Sequence, residues 1–456
     1  MSGPTLSTVA PVRAPAGPVV AVFLLVATVT SLPYLVAALL PPAGRTFAGT
    51  FYWIDDFYNY VSFVQQAEDG RLLFENKLML EPHAPALFNL EWWGVGVLSR
   101  LLGRSPFLAY RVLALLALLG LLFCADRALR RLGVRPERRF WALLLVATGG
   151  GLGGLLFELT SRPIFRCADL SIGLFPFMEA LVNPHWLLAS WLLLESLLAF
   201  ERARSWREAL VAGALGTALG LVRPYDLVWL VAIHGLSVLL SPKTPYRQGL
   251  LPLVGLLPVV LYNYWVFVAL PTFATYSATR YAMPPAADFL LGLGPAAAVA
   301  LWSIRGEAGE PSARSLRLRL WVWAGLAALA AVVRPVPFTQ QFLIGAGLPL
   351  LLLAAPGLAR LRSLGLPAAT LLFGATAFVA LRILMTPDPN WLVPAERREA
   401  ALALREPCRA GGLVMAPPDI GLYVIGLTAC RAYVSHPFAP DHAQRRERGR
   451  AFFGSW

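Results

Sequence analysis

The chain has 456 residues, of which 57% are hydrophobic and 14% charged, and its mean hydropathy is +0.62. Soluble domains run nearer roughly 45–50% apolar and about 25% charged, so a soluble enzyme, a disordered chain and a nucleic-acid module are excluded. The formal net charge of +13 falls in short basic clusters between long apolar runs. That distribution orients a membrane protein; it does not form a patch for a polyanion. Four cysteines without a C-x-x-C spacing exclude a zinc module and a dense disulfide scaffold.

A helix that crosses a bilayer needs roughly 20 mostly apolar residues. Runs of that kind lie near 18–40, 106–129, 140–157, 185–200, 209–222, 227–240, 250–270, 288–304, 320–334, 342–357 and 366–384, which predicts about eleven spans. The first run is longer than a signal-peptide core and only Arg13 precedes it, so it reads as an uncleaved anchor. Five loops, 127–139, 201–208, 242–248, 305–319 and 359–363, carry 17 of the 39 basic residues. Assigning them to the cytoplasm puts the N-terminus inside and everything after about residue 385 outside the cell (inner) membrane. Reporter fusions near residues 133, 310 and 361 should then be cytoplasmic and fusions near 60, 170 and 440 external; one inverted pair overturns the assignment.

On the outer side, the loop 41–104 is long and aromatic. From Ile54 to Val64 apolar residues recur at 54, 57, 61 and 64, a stripe that suits a helix lying on the membrane surface with Asp56, Asn59 and Gln66 toward its wetter side. The stretch 87–103, with Trp92 and Trp93, reads as a second interfacial helix. A second outer loop spans 158–186. The tail, 386–456, is of different composition: a helix over 394–405, an apolar strand over 412–416, a helix over 417–427 and a strand over 431–435 predict a small α/β unit with a parallel sheet. Cys408 and Cys430 each precede one of those strands, so outside the cytoplasm they are candidates for a disulfide.

Ionisable residues at the outer ends of spans invite a functional reading. Asp55 and Asp56 are adjacent carboxylates, and their repulsion can leave one of them a usable base toward a hydroxyl nucleophile. Glu81 and His83 follow in the same loop. Asp169, Glu179, Asn183 and His185 lie in the second, and with the first set they could converge on a divalent cation such as Mg or Mn. The bland readings are a solvated acidic loop and, for His185, a helix-start residue bonding locally. Arg223, Arg280 and Arg334 stand at outer span ends, where guanidinium groups suit a lipid-linked phosphate or merely snorkel to headgroups. No P-loop, G-x-G-x-x-G or H-E-x-x-H motif occurs.

Four passages carry a family resemblance: W-I-D-D-F-Y-N-Y with E-D-G-R-L-L-F (53–74), E-P-H-A-P-A-L (81–87) with S-R-L-L-G-R-S-P-F-L-A-Y-R (99–111), N-P-H-W (183–186) with R-P-Y-D (223–226), and A-P-P-D-I-G-L-Y with R-A-Y-V-S-H-P-F in the tail. Together they resemble the GT-C superfamily of polytopic membrane glycosyltransferases, such as protein O-mannosyltransferases and bacterial aminoarabinose transferases, and within it an uncharacterised bacterial branch. The resemblance implies an all-α polytopic membrane domain (1–385) with outer-face jaw helices, followed by a small C-terminal α/β extracytoplasmic domain (386–456). It also implies inverting transfer of a sugar from a polyprenyl-phosphate donor to a hydroxyl of a glycan, lipid or protein acceptor at the outer membrane face. Asp55, by its spacing to Gly70, is the implied base, with Asp56 taking that role if the alignment shifts by one. The arginines would stabilise the departing lipid phosphate. Arg223 stands where branch members carry His, Ser435 precedes His436 where they carry Gly, and the chain stops at FFGSW, sooner than a full α/β domain would, which suggests a truncated or minimal unit. A flippase for lipid-linked sugars or another secondary transporter is the competing reading, although no internal repeat is evident. A third is a scaffold whose site has decayed.

Overall fold

The computed structural model describes residues 16–241, 246–278, 281–304, 311–361 and 364–454. Among the described residues, seven helices are long and apolar enough to cross a membrane: Gly17–Leu39, Pro106–Arg131, Gly249–Ala269, Ala286–Ser303, Ser312–Val333, Thr339–Arg360 and Gly365–Met385. Helices Pro136–Thr148 and Gly153–Thr160 meet at 59° and make an eighth crossing if they are one broken span. By length and composition, seven or eight helices qualify where the sequence pattern predicts about eleven. The difference lies between residues 184 and 239, where the apolar runs do form the helices Pro184–Arg202, Trp206–Val222 and Pro224–Leu239. The last two have 17 and 16 residues, at the lower limit of the roughly 17–25 residues of a crossing helix. The first is interrupted by His185, Glu195 and Glu201. At the centre of the bundle, Thr339–Arg360 is enclosed by its neighbours, consistent with a run that is apolar all round.

The two ends of the bundle differ in character. At one end the basic clusters are tied to acids on neighbouring helices: Arg131 to Glu201 at 2.9 Å, Arg139 to Asp126 at 3.1 Å, and Arg127 to Glu195. At the other end the first loop and the tail form a shared cap. Helices Ile54–Glu68 and Leu90–Leu101 pack closely because Gly96 carries no side chain; a Cβ there would come within 2.4 Å of that of Ala67. Two of the three polar residues expected on the wetter side of helix Ile54–Glu68 do not face solvent. Asn59 and Gln66 are buried, Asn59 bonding the Tyr276 hydroxyl and Gln66 both bonding groups of the Glu75 backbone. A polar stripe predicts solvent only when nothing polar stands ready to receive it.

Strand β1 (Arg45–Phe47) pairs antiparallel with β2 (Leu392–Pro394), with Thr46 opposite Val393, so the first loop is sewn to the beginning of the tail. Strands β3 (Leu413–Val414) and β4 (Arg431–Ala432) pair in parallel around helix Pro418–Leu427, the order expected from sequence with shorter strands. A further helix, His442–Phe453, follows. The buried residues of tail and first loop form one cluster, in which the Tyr58 and Tyr423 rings meet at 4.6 Å. Lys77 of the first loop donates to the carbonyls of Ile425 (3.1 Å) and Thr428 (2.6 Å), plugging the C-terminal end of helix Pro418–Leu427, where a cation suits the exposed carbonyls. Burial pulls its ammonium down to about 8. Cys408 and Cys430 form a disulfide, their Cα atoms 5.3 Å apart.

Candidate active site

A cavity of about 1450 Å³ lies at the capped end of the bundle, among the helix ends opposite the basic clusters. Its first contributor is the start of helix Ile54–Glu68. Trp53 adopts the left-handed conformation, φ 50° and ψ 51°, packs against Trp186 at 4.8 Å between ring centroids, and makes the helix begin at Ile54. Asp55 and Asp56 therefore occupy the first turn, where carboxylates suit the unpaired N–H groups and the helix dipole. Successive residues point about 100° apart on a helix, so only one of the pair can face inward. Asp56 lines the cavity, whereas Asp55 is exposed and does not line it.

Asp56 has a partner from the far end of the chain: Nε2 of His436 is 3.1 Å from its Oδ1. Tyr60, Tyr276 and Tyr281 stand around the same carboxylate in the cavity wall. Burial, with the negative charge of Asp56 adding to it, pushes all three phenols above their ordinary value, so at neutral pH they are hydrogen-bond donors and not phenolates.

A second group forms where helix Leu90–Leu101 meets helix Pro184–Arg202. Asn89 caps the former, its Oδ1 accepting from the N–H groups of Glu91 (3.0 Å) and Trp92 (3.1 Å). Asn183 caps the latter, accepting from the His185 N–H at 3.2 Å and from the Tyr110 hydroxyl at 3.2 Å. These two caps bring the Glu91 carboxylate onto Nδ1 of His185. Because a carboxylate accepts, Nδ1 carries the proton, and a neutral ring then offers Nε2 as an acceptor. His185 lines the cavity, and the stacked rings of Tyr60 and Trp92, 5.0 Å apart, lie beside it.

The arginines sort differently from their expectation. Arg223 lines the cavity but is almost fully buried; it is paired with Asp226 and donates through Nη2 to the Gln341 carbonyl (2.6 Å) and side-chain oxygen (2.7 Å). Arg334 is exposed, has φ 53° and donates to the Pro284 carbonyl at 2.6 Å. Arg280 lies outside the described residues. Arg166, which sequence reasoning passed over, also lines the cavity. It shares the buried Asp288 carboxylate with Arg162, its own Nε standing 2.8 Å from that group, so two guanidiniums meet one negative charge.

The remaining candidates do not reach the cavity. His83 accepts the Asn76 N–H on Nε2 at 3.0 Å and bonds the Glu81 carbonyl at 3.1 Å through Nδ1, which makes it the brace of a turn; Glu81 is exposed. Asp169 is buried and accepts from the N–H groups of Gly151 and Gly153, both at 3.1 Å, and from the Thr376 hydroxyl at 2.9 Å, so it holds the break between the two bent helices. Glu179 accepts from Ser190 at 2.9 Å within the core. Among the described residues, no three His, Cys, Asp or Glu side chains gather in a metal-holding arrangement. The expected convergence of Asp55, Asp56, His83, Asp169, Glu179, Asn183 and His185 on one cation is not found among the described residues, because four of them serve as a turn brace, a helix-break staple, a core hydrogen-bond partner and a helix cap.

The missed residues lacked a local signal. Glu91 precedes a Trp pair and reads as an ordinary first-turn acid, and His436 stands 380 residues from Asp56.

No known family profile matches the sequence, and no curated protein matches it. Solved structures do. Arabinofuranosyltransferase AftD from Mycobacteria superposes with a TM-score of 0.54 at 16% identity, covering 92% of this chain and 32% of that one. ArnT from Cupriavidus metallidurans, solved with undecaprenyl phosphate bound, superposes with a TM-score of 0.52 at 14% identity, covering 96% of this chain and 88% of that one. The chain shares its overall fold with these two structures. It spans about a third of the length of AftD and most of that of ArnT, and the likeness covers nearly all of this chain, the tail included.

Proposed function

We propose that the chain is a membrane glycosyltransferase that moves a sugar from a polyprenyl-phosphate donor to an acceptor hydroxyl, with Asp56 as the base. One observation carries the reading: a single cavity joins the Asp56 carboxylate to apolar side chains that face outward from the bundle. Val228 and Val231 of helix Pro224–Leu239, and Val260 and Val268 of Gly249–Ala269, line the cavity and are exposed on the bundle surface. An isoprenoid chain can therefore lie in the lipid layer while its phosphosugar reaches Asp56. The solved ArnT complex, with its polyprenyl phosphate, supports the same donor class here.

In this chemistry the acceptor oxygen attacks the anomeric carbon as its proton passes to Asp56, the carbon–oxygen bond to the lipid phosphate breaks, and in-line displacement inverts the sugar. The departing phosphate carries growing negative charge. Arg166 meets that need best, since the cluster with Arg162 and Asp288 retains one uncompensated positive charge beside the cavity. Arg334, bonded to cavity-lining Pro284, is the second candidate. Arg166→Ala should raise the donor KM roughly tenfold or more and leave the acceptor KM near its original value; an unchanged donor KM removes Arg166 from the phosphate site.

The exterior assignment draws support from two observations. The cavity lies at the helix ends opposite the basic clusters, and the Cys408–Cys430 disulfide, in the cap at that same end, suits an oxidising compartment. The deciding experiment incubates the purified full chain with a panel of radiolabelled polyprenyl-phosphate sugars. Protein-dependent release of polyprenyl phosphate, with label passing to an added acceptor, is the expected result. Movement of intact donor across a vesicle bilayer without cleavage makes the protein a transporter instead.

A further inference from the structure

His436 is delivered to Asp56 by the tail, and its geometry fixes which nitrogen does the contacting. The Phe438 N–H donates to Nδ1 of His436 at 2.9 Å. A nitrogen that accepts carries no proton, so in the neutral ring the proton sits on Nε2, which donates to Asp56 Oδ1 at 3.1 Å. The imidazole is 1% exposed and packs at 4.5 Å against the Phe438 ring, which in turn meets Tyr281 of the cavity wall at 5.6 Å. The segment bearing it has little freedom. Strand β4 begins just after disulfide-bonded Cys430, and helix Pro418–Leu427 comes so close that a Cβ on Gly421 would lie 1.7 Å from the Val434 carbonyl oxygen.

We infer that His436 is a positioning residue for sugar transfer: its Nε2–H engages one oxygen of Asp56 and so aims the other at the acceptor hydroxyl, making transfer depend on a docked tail. The imidazole gives up no proton in this role; the acceptor's proton moves to the second Asp56 oxygen while the Nε2–H bond stays in place. The inference rests on Asp56 being the base. A carboxylate free to rotate spends much of its time misaimed, and misplacement on the scale of 1 Å can cost about 100-fold.

The test uses the full-length protein in the donor-panel assay with three variants beside Asp56→Asn. His436→Ala should lower kcat about 10- to 100-fold with both KM values within about threefold. His436→Gln, whose amide N–H can still donate at similar reach, should recover most of the rate, and His436→Asn, one methylene shorter, should not. In an Asp56→Asn background, His436→Ala should cause no further loss. If the Ala variant fails to fold, the Gln–Asn contrast decides: equal rates for the two overturn the proposal. Wild-type kcat in His436→Ala, with Asp56→Asn inactive, also overturns it and leaves Asp56 as base. An active Asp56→Asn overturns the assignment of the base and this inference together.

Discussion

Asp56→Asn is expected to lower the rate of transfer by about 10²- to 10⁴-fold, the range ordinarily supplied by a positioned general base, while Asp55→Asn stays within about tenfold of the parent. The contrast follows from one turn of helix. With Trp53 held left-handed, the helix starts at Ile54, and the two carboxylates diverge by about 100°. One then faces the cavity and His436, and the other is exposed. Asparagine keeps the size of the side chain and its bond to His436 through the amide oxygen, but it cannot take up a proton in the pH range of the reaction. Measured kcat at saturating donor and acceptor separates the two residues. An inactive Asp55→Asn beside an active Asp56→Asn would transfer the role to Asp55, the residue that spacing to Gly70 favours.

That ambiguity shows where legibility ends. An acidic pair after the first apolar run is visible to any reading of the chain, as are the N-P-H-W turn and the arginines at span ends. What is not visible is the facing of each side chain, because it depends on where a helix begins to within a single residue. A left-handed tryptophan has no sequence signature. Asn183 and His185 could be singled out, and Asn183 is a helix cap with His185 at the cavity wall. The partner of His185, Glu91, comes from another helix 94 residues away, and no local pattern announces it. The tail's β–α–β order could be read from composition, since alternating strand and helix signals survive without tertiary knowledge. Its docking could not: Lys77 reaching the carbonyls of Ile425 and Thr428, and His436 reaching Asp56, are long-range events set by packing. The span count stays open for a simpler reason. Apolar helices of 16 and 17 residues stand at the lower limit of the roughly 17–25 residues of a crossing helix, so length and composition alone do not settle them.

Arg223 illustrates the same boundary energetically, and it supplies the largest expected effect on stability. At the end of a span an arginine looks alike whether it awaits a phosphate or balances a buried acid. Asp226, three residues on, decides between them: both side chains are nearly fully buried, 1% and 4% exposed, and they are paired. Removing one partner of such a pair leaves a charge in a low-dielectric site and costs about 3–5 kcal/mol, while replacing both with apolar groups of similar volume is often neutral. Asp226→Asn should therefore sharply lower the Tm of the detergent-purified protein, and the double substitution Arg223→Met with Asp226→Leu should restore most of the loss. The Gln341 contacts of Arg223, 2.6 and 2.7 Å, would disappear in the double variant, so recovery should fall somewhat short of complete. A phosphate ligand behaves in the opposite way. Asp226→Asn would then leave Tm nearly unchanged and tighten donor binding by freeing the guanidinium, and the double variant would lose donor binding without gaining stability. Thermal unfolding and donor KM, measured on the same three proteins, separate a structural cation from a catalytic one.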